Sequence, residues 1–438
     1  MDSSQSYDHS DRLSELPNSL ILMILSLSET VDAVRTTVLS KRWRDLWTTV
    51  PRLKFVGVDP RFIRAVLAKW RGEKIFSFYL SLGHGRPADV DSWLLFAVEK
   101  QVEEMYVDFE PSTNAHYCPP QCLYSCSSIT ELHLGCCLLV IEGSVQWNQL
   151  KSLSLKVFNA SCDDVFNKLL SGAPRLETMI LLMDKIVENF SIQSTSLKKL
   201  SINNSGRQLN VDIMAMLRIC APNLLTLQIS ADVVNGGSCL FDVPSLTEAS
   251  FNGFCDVYDP PLEMFYRLFR SICHVKKVEL SELDIKLLLA LKKKDMVVEF
   301  PNAEYLKHQG MNACGRLDLL ELLDLLEMFP KLKILNFIQH QDFNPTVETT
   351  FLYPSLLHLN TAVITWPSED PSIIPFIEFL LQNAPSLHKL VFRLSPFSCN
   401  RERFPMIEEM VRNMPRSSAT AEVIIIDGDD LSSLLERE

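Results

Sequence analysis

Glycine is scarce in this chain, at 14 of 438 residues, and none of it forms the phosphate-cradling loops that nucleotide enzymes need. Neither a Gly-x-Ser-x-Gly elbow nor a His-Glu-x-x-His pair occurs, so a hydrolase or zinc-protease reading has no motif to stand on. Long apolar runs are also missing. Stretches such as Leu20–Leu25 fall far short of the roughly 20 residues that span a bilayer, and no membrane partner is expected. Basic charge is in deficit, with 42 Lys and Arg against 54 Asp and Glu and a net charge of -12, so nucleic acid is not an expected partner either. The polar, acidic stretch Met1–Arg12 lacks the basic and apolar regions of a secretory signal. Without export, the 12 cysteines are expected as reduced thiols, packed as small hydrophobes in a cytosolic or nuclear protein. The Asn-x-Ser sites at Asn159, Asn189 and Asn203 are then expected to stay unglycosylated.

What the chain does have is apolar side chain in quantity: 47% hydrophobic residues against 22% charged, including 24 Phe. That composition folds. A single core stops growing near 250 to 300 residues, so 438 residues call for several domains or an extended repeat array.

The stretch from Asp11 to Phe55 divides into three short helical segments. Pro17 suits a first helical turn, and Leu20, Ile21, Ile24 and Leu25 recur at helical spacing. Thr30 and Ser40 are candidate caps for a second and a third helix, the third carrying Trp43, Leu46 and Trp47 at i, i+3 and i+4. A unit this small and this apolar seldom buries enough area to stand unaided. It is therefore expected either to dock on another polypeptide or to cap a repeat array that follows.

In order, Leu16-Pro17, Ile24-Leu25-Ser26, Asp32-Ala33-Val34-Arg35 and Leu39-Ser40-Lys41-Arg42-Trp43-Arg44-Asp45-Leu46-Trp47 closely resemble the plant F-box. The chain departs from that pattern at Leu27-Ser28, where many relatives carry Leu-Pro. The resemblance implies binding to a Skp-type adaptor and, through it, to cullin. It carries over to Leu16, Pro17, Leu20, Ile21, Ile24, Leu25, Val34, Val38 and Leu39 as adaptor contacts, whereas the size and spacing of Trp43, Leu46 and Trp47 make them expected internal packing.

Beyond the hook, the pattern Leu-x-x-Leu-x-Leu recurs with tolerated substitutes. Copies start at Ile129, Leu150, Leu176, Leu197, Leu224, Leu246, Val275, Ala303, Leu332, Leu356 and Leu387. Intervals run from 21 residues (Ile129 to Leu150) to 31 (Leu356 to Leu387), straddling the period of leucine-rich repeats. Pro174, Pro222, Pro244, Pro330 and Pro385 each stand two positions before a copy and mark a change from helix to strand. Helical stretches are expected between copies, as at 162–170, 211–219 and 317–328.

The expected fold class is α/β: a three-helix F-box over 11–55, then a leucine-rich-repeat solenoid over 56–365, a curved parallel sheet with helices on its convex side. The first ten residues are expected to be disordered. Residues 366–438 resemble the FBD-type tail of plant F-box/leucine-rich-repeat proteins, and the segment holding Val423 to Ile426 is expected as a last strand. Within each repeat the Leu side chains turn inward and the intervening ones outward. Lys199, Glu248, Lys277, Tyr305, Asn336, His358 and Arg393 are the outward residues named as substrate contacts.

Two other clusters invite chemistry. His116, Cys118, Cys122, Cys126, His133, Cys136 and Cys137 lie close together, but their spacing lacks the paired knuckles of zinc modules, so neither metal nor cofactor is expected. Lys292-Lys293-Lys294 reads as a solvated basic loop. The resemblance implies a substrate-recognition subunit of an SCF-type (Skp/cullin/F-box) ubiquitin ligase with no catalysis of its own. A repeat scaffold without ubiquitin transfer and a small-molecule-sensing receptor are the open alternatives, and a hydrolase with an unmarked site is a distant third.

Overall fold

The structure, a computed structural model, describes residues 16–84, 89–110, 117–159, 164–183, 189–204, 216–230, 238–252, 262–310, 319–339, 356–366, 371–394 and 404–426. The first ten residues, expected to be disordered, lie outside this set. The chain divides into two compact units, residues 1–185 and 186–438.

The first unit opens with α1 (Asn18–Leu27), α2 (Thr30–Arg35) and α3 (Trp43–Leu46), with single 3-10 turns at Thr36–Val38 and Trp47–Thr49. The expected caps are shifted by one or more residues. Pro17 is the extended residue before α1, Glu29 precedes α2, and the third helix starts only at Trp43, after Arg42. Thr30 instead secures the next strand, its hydroxyl accepting the Lys54 backbone N–H at 2.7 Å.

Six parallel strands follow, in the order β1 (Arg52–Val56), β2 (Ser77–His84), β3 (Glu104–Glu110), β4 (Glu131–Leu138), β5 (Ser152–Asn159) and β6 (Thr178–Met183). The connections carry α4 (Pro60–Lys69), α5 (Val90–Glu99), α6 (Gln121–Tyr124) and α7 (Asp164–Gly172). Helix α4 shows why its sequence starts there: Pro60 occupies the first turn and the Asp59 carboxylate accepts the Arg61 N–H at 2.7 Å. Leu53 and Phe55, Phe78 and Leu80, and Met105 and Val107 are buried as fully as the Leu132–Leu134 and Leu153–Leu155 pairs. Each such side chain contributes about 1.5–3 kcal/mol by leaving water. Three rungs therefore precede the first copy read from the sequence, and most of the first strand lies inside the stretch assigned to the hook.

The second unit holds β7 (Asn189–Gln193), β8 (Lys199–Asn204), β9 (Met216–Cys220), β10 (Thr226–Ser230), β11 (Ser238–Asp242), β12 (Glu248–Asn252), β13 (Lys277–Ser281), β14 (Tyr305–Gln309), β15 (Ile334–Ile338), β16 (Thr361–Trp366), β17 (Lys389–Leu394) and β18 (Glu422–Ile426). Strands β8, β10 and β12 to β18 line up in that order, every neighbouring pair parallel. Helices α8 (Leu262–Ile272), α9 (Glu282–Lys293), α10 (Leu319–Glu327), α11 (Ile374–Asn383) and α12 (Phe404–Arg412) fill the later connections. Both units are open parallel sheets assembled rung by rung, the strand-and-connection geometry of leucine-rich repeats.

One hydrogen bond recurs ahead of the strands. The N–H of the motif's first residue bonds to the carbonyl three residues earlier, as in Leu176 to Ala173 (3.1 Å), Leu224 to Ala221 (3.1 Å), Leu332 to Phe329 (3.2 Å) and Leu387 to Ala384 (3.1 Å). In these repeats Pro occupies the second position of the resulting turn, where its fixed φ fits. The proline is thus part of a tight turn that aims the strand.

Three expectations need correction. Residues 216–219 of the predicted helix 211–219 belong to strand β9, and 211–215 lie outside the described residues. Leu217 and Ile219 are buried while Arg218 is exposed, a period of two that a strand satisfies. Strand β9 joins β7 and β11 in a second, three-stranded parallel sheet, so sheet replaces helix in the connections there. The copy assigned to Leu356 starts at Leu359, whose N–H bonds to Leu356 O at 3.2 Å, and Leu335 pairs with Ala362. Finally, Lys292 and Lys293 close α9, and Lys292 reaches Asp324 at 2.7 Å and Glu327 at 2.6 Å on α10, whereas Lys293 and Lys294 are exposed, so the basic run starts in a helix pair and only its last two residues are solvated. The last strand is found as expected: β18 pairs with β17.

Candidate functional site

The N-terminal helices rest on β1. Besides the Thr30–Lys54 bond, Glu29 lies 3.7 Å from the Lys54 ammonium, and the Trp70 indole N–H donates to Val50 O at 2.9 Å. Trp43 and Trp47 are buried within this packing, as expected of them, and Leu46 is half-buried. Arg42 ties the far ends of the hook together, donating to Asn18 Oδ1 from Nε (2.8 Å) and Nη2 (2.6 Å) and to the Leu16 carbonyl.

Helix α1 is apolar on more than one face. Ile21 and Leu25, spaced i and i+4, are buried in the chain's own core, so these two expected contacts form no part of the surface. Leu20, Met23, Ile24 and Leu27, at i, i+3, i+4 and i+7, make a stripe open to solvent, with Leu27 84% exposed. Val38, 85% exposed, and Leu39 add two more bare side chains from the turn after α2. Of the remaining expected contacts, Pro17 is exposed while Leu16 and Val34 are half-buried. Met23 and Leu27 were missed, although their spacing from Leu20 and Ile24 marks the same stripe. Isolated apolar residues on a surface are ordinary, but a contiguous stripe on one helix marks a docking face.

The second candidate surface is the outward face of each sheet. In the second unit Lys199, Glu248, Lys277 and Tyr305 lie in one register-matched file across β8, β12, β13 and β14, with Thr226 of β10 between the first two. Lys277 sits 3.9 Å from Glu248, 3.7 Å from Glu279 and 5.1 Å from the Tyr305 ring centre, and Lys307 is 3.7 Å from Glu279. Asn336 and Arg393 occupy neighbouring files on β15 and β17. His358 does not join them: it lies in the turn before β16, outside the strand, because the repeat there starts three residues later than read.

In the first unit the outward face carries a file of its own. Lys54, Tyr79, Tyr106, His133 and Ser154 are register partners across β1 to β5. The Tyr79 and Tyr106 rings stack with centres 4.2 Å apart, Tyr106 and His133 with centres 4.1 Å apart, and His133 Nδ1 is 2.9 Å from Ser154 Oγ. Burial, then the Tyr79 hydroxyl and the Asp108 carboxylate, push the Tyr106 phenol up to about 12, which keeps it a hydrogen-bond donor. Burial pushes the His133 imidazole down, Asp108 counters it, and Lys156 adds to the lowering. Reading Val50-x-x-Leu53-x-Phe55, Ile75-x-x-Phe78-x-Leu80 and Val102-x-x-Met105-x-Val107 as substituted repeats would have exposed this file.

Cys118, Cys122 and Cys126 carry free thiols, and burial raises that of Cys122. Among the described residues no group of three or more His, Cys, Asp or Glu side chains could hold a metal ion, and His116 lies outside them. No helix among the described residues is long and apolar enough to cross a membrane.

Comparison with known proteins adds names to this geometry. Residues 13–55 match the F-box domain, and residues 90–247 match the leucine-rich repeats of FBD-associated F-box protein At5g56370. The chain is 31% identical over 411 residues to the putative F-box/LRR-repeat protein At5g02930 of Arabidopsis thaliana, covering 91% of this chain and 75% of the relative. It is 27% identical over 464 residues to the F-box/LRR-repeat protein At3g03360 of the same plant, covering 94% and 90%. A putative F-box/FBD/LRR-repeat protein of that species, At4g13965, is 27% identical over 427 residues, covering 92% and 94%.

Proposed function

The chain belongs to the F-box/leucine-rich-repeat family, and from that premise we propose that it is the substrate-recognition subunit of an SCF-type ubiquitin ligase. In this reading the hook docks on a Skp-type adaptor, which joins the chain to cullin, and the repeats hold a protein substrate. The observation that carries it is the bare stripe of Leu20, Met23, Ile24 and Leu27 on α1 with Val38 and Leu39 beside it. An isolated structural cap would have no use for six large apolar side chains in water. A docking interface of standard size buries roughly 1,200–2,000 Å² in total, and a few central side chains dominate it.

The chain then works by proximity. Holding a substrate lysine near a charged ubiquitin-conjugating enzyme raises its effective concentration, and this asks no catalytic group of the chain itself. Its place of work is the cytosol or nucleus, where thiols such as Cys118 stay reduced.

The test is affinity purification of the full chain under proteasome inhibition, beside a Met23→Asp, Leu27→Asp variant. Point changes are needed because removing residues 1 to 55 would cut away most of β1. The wild-type chain is expected to bring adaptor and cullin and to support ubiquitin-chain formation, and the variant to lose both proteins. Co-purification of adaptor without cullin would favour the scaffold reading.

A further inference from the structure

Each ring of the Tyr79–Tyr106–His133 stack is fixed by the next, and Lys54 closes one end with its Nζ 5.6 Å from the Tyr79 ring centre. A ligand would meet a stiff ridge of ring edges and hydroxyls whose side-chain freedom is already lost, which lowers the entropic cost of binding. One row back along the same strands, Glu104 and Glu131 are register partners on β3 and β4. Arg52 reaches past the small Ser77 to within 3.2 Å of Glu104 and lies against the Phe76 ring. Glu131 is exposed and has no ion pair among the described residues. Two carboxylates side by side repel, so this row is short of one cation. In the second unit the corresponding row sets Lys277 beside Glu248, and Glu279 and Lys307 of the next row complete the balance.

We propose that the outward face of the first unit, centred on Tyr106 and His133, holds a partner polypeptide segment bearing a basic side chain whose cation completes the Glu104–Glu131 pair. Arginine fits better than lysine. Its planar guanidinium can bridge two carboxylates and lie along the tyrosine ridge, whereas an ammonium acts as a point charge. This assignment deepens the reading of the repeats as the substrate surface, and rests on it.

The experiment is selection of short random displayed peptides on the full chain purified with its adaptor, followed by fluorescence anisotropy with a synthetic arginine-containing peptide from the selection. Enrichment of Arg-bearing sequences is expected. Glu131→Lys and Tyr106→Ala should each weaken that peptide by about tenfold or more with adaptor retention unchanged, and Glu131→Lys should leave the melting temperature unchanged as well. Enrichment of peptides lacking basic residues, or equal affinity for wild type and Glu131→Lys, would overturn the inference. Adaptor retention is read on the same sample. A chain that holds adaptor but selects no basic peptide defeats this inference alone, and a chain that holds no adaptor defeats the function beneath it.

Discussion

Ile21 and Leu20 are neighbours on α1 with opposite surroundings, one sealed in the chain's core and the other in solvent. Ile21→Ala opens a cavity and is expected to cost roughly 2–5 kcal/mol, seen as a lower melting temperature. Leu20→Ala is expected to shift stability by about 0.5 kcal/mol or less. The sequence announced a helix here but could not say which stripe faces inward, because Leu20 to Leu25 are all apolar and no polar residue marks the outer side. His133 offers a different test. Its folded imidazole is held below the ordinary value, so the unfolded chain takes up a proton more readily. The stabilisation is complete above about pH 6.5 and is lost as pH falls through the lower folded value. Urea midpoints should therefore drop between pH 7.5 and 5, and drop less in His133→Phe, which keeps a ring in the stack.

At the scale of elements, single substitutions were tolerated within the run of recognised copies, as at Ile129, whereas β1, β2 and β3 were hidden because Val, Ile, Phe and Met fill most of their motif positions ahead of that run. The displaced copy before β16 was misread because Leu356 and Leu359 both fit the pattern; the turn bond from Leu359 to Leu356 settles the register and removes His358 from the outward face. The strands β7, β9 and β11 were missed because five-residue segments such as Met216–Cys220 carry too few positions to separate period two from 3.6. Packing between elements gives a further prediction. A side chain at Gly172, in the last turn of α7, would place its Cβ 2.4 Å from the Val145 carbonyl oxygen. Gly172→Ala forces the helix off that segment and is expected to cost about 1–3 kcal/mol, measurable by chemical denaturation.

For the whole chain, the division of labour follows from where apolar surface remains. The sheet units bury their leucines rung upon rung, each strand's inward residues covered by its neighbours and connections. The hook buries one face of α1 and the two tryptophans, yet leaves the second face uncovered. The alternative expectation, a cap on the repeat array, is met in part: the hook is anchored on β1 and leaves the outer stripe of α1 exposed. Family membership and the fold were readable from sequence because motif order and repeat spacing carry them. The identity of the exposed stripe was not, because exposure is a property of packing. The most direct test is the dissociation constant between the full chain and a Skp-type adaptor, for wild type and for Met23→Asp, Leu27→Asp, with circular dichroism confirming equal folding. A loss of about a hundredfold or more in the variant is predicted; equal affinity in a folded variant would contradict the docking of this chain through its α1 stripe.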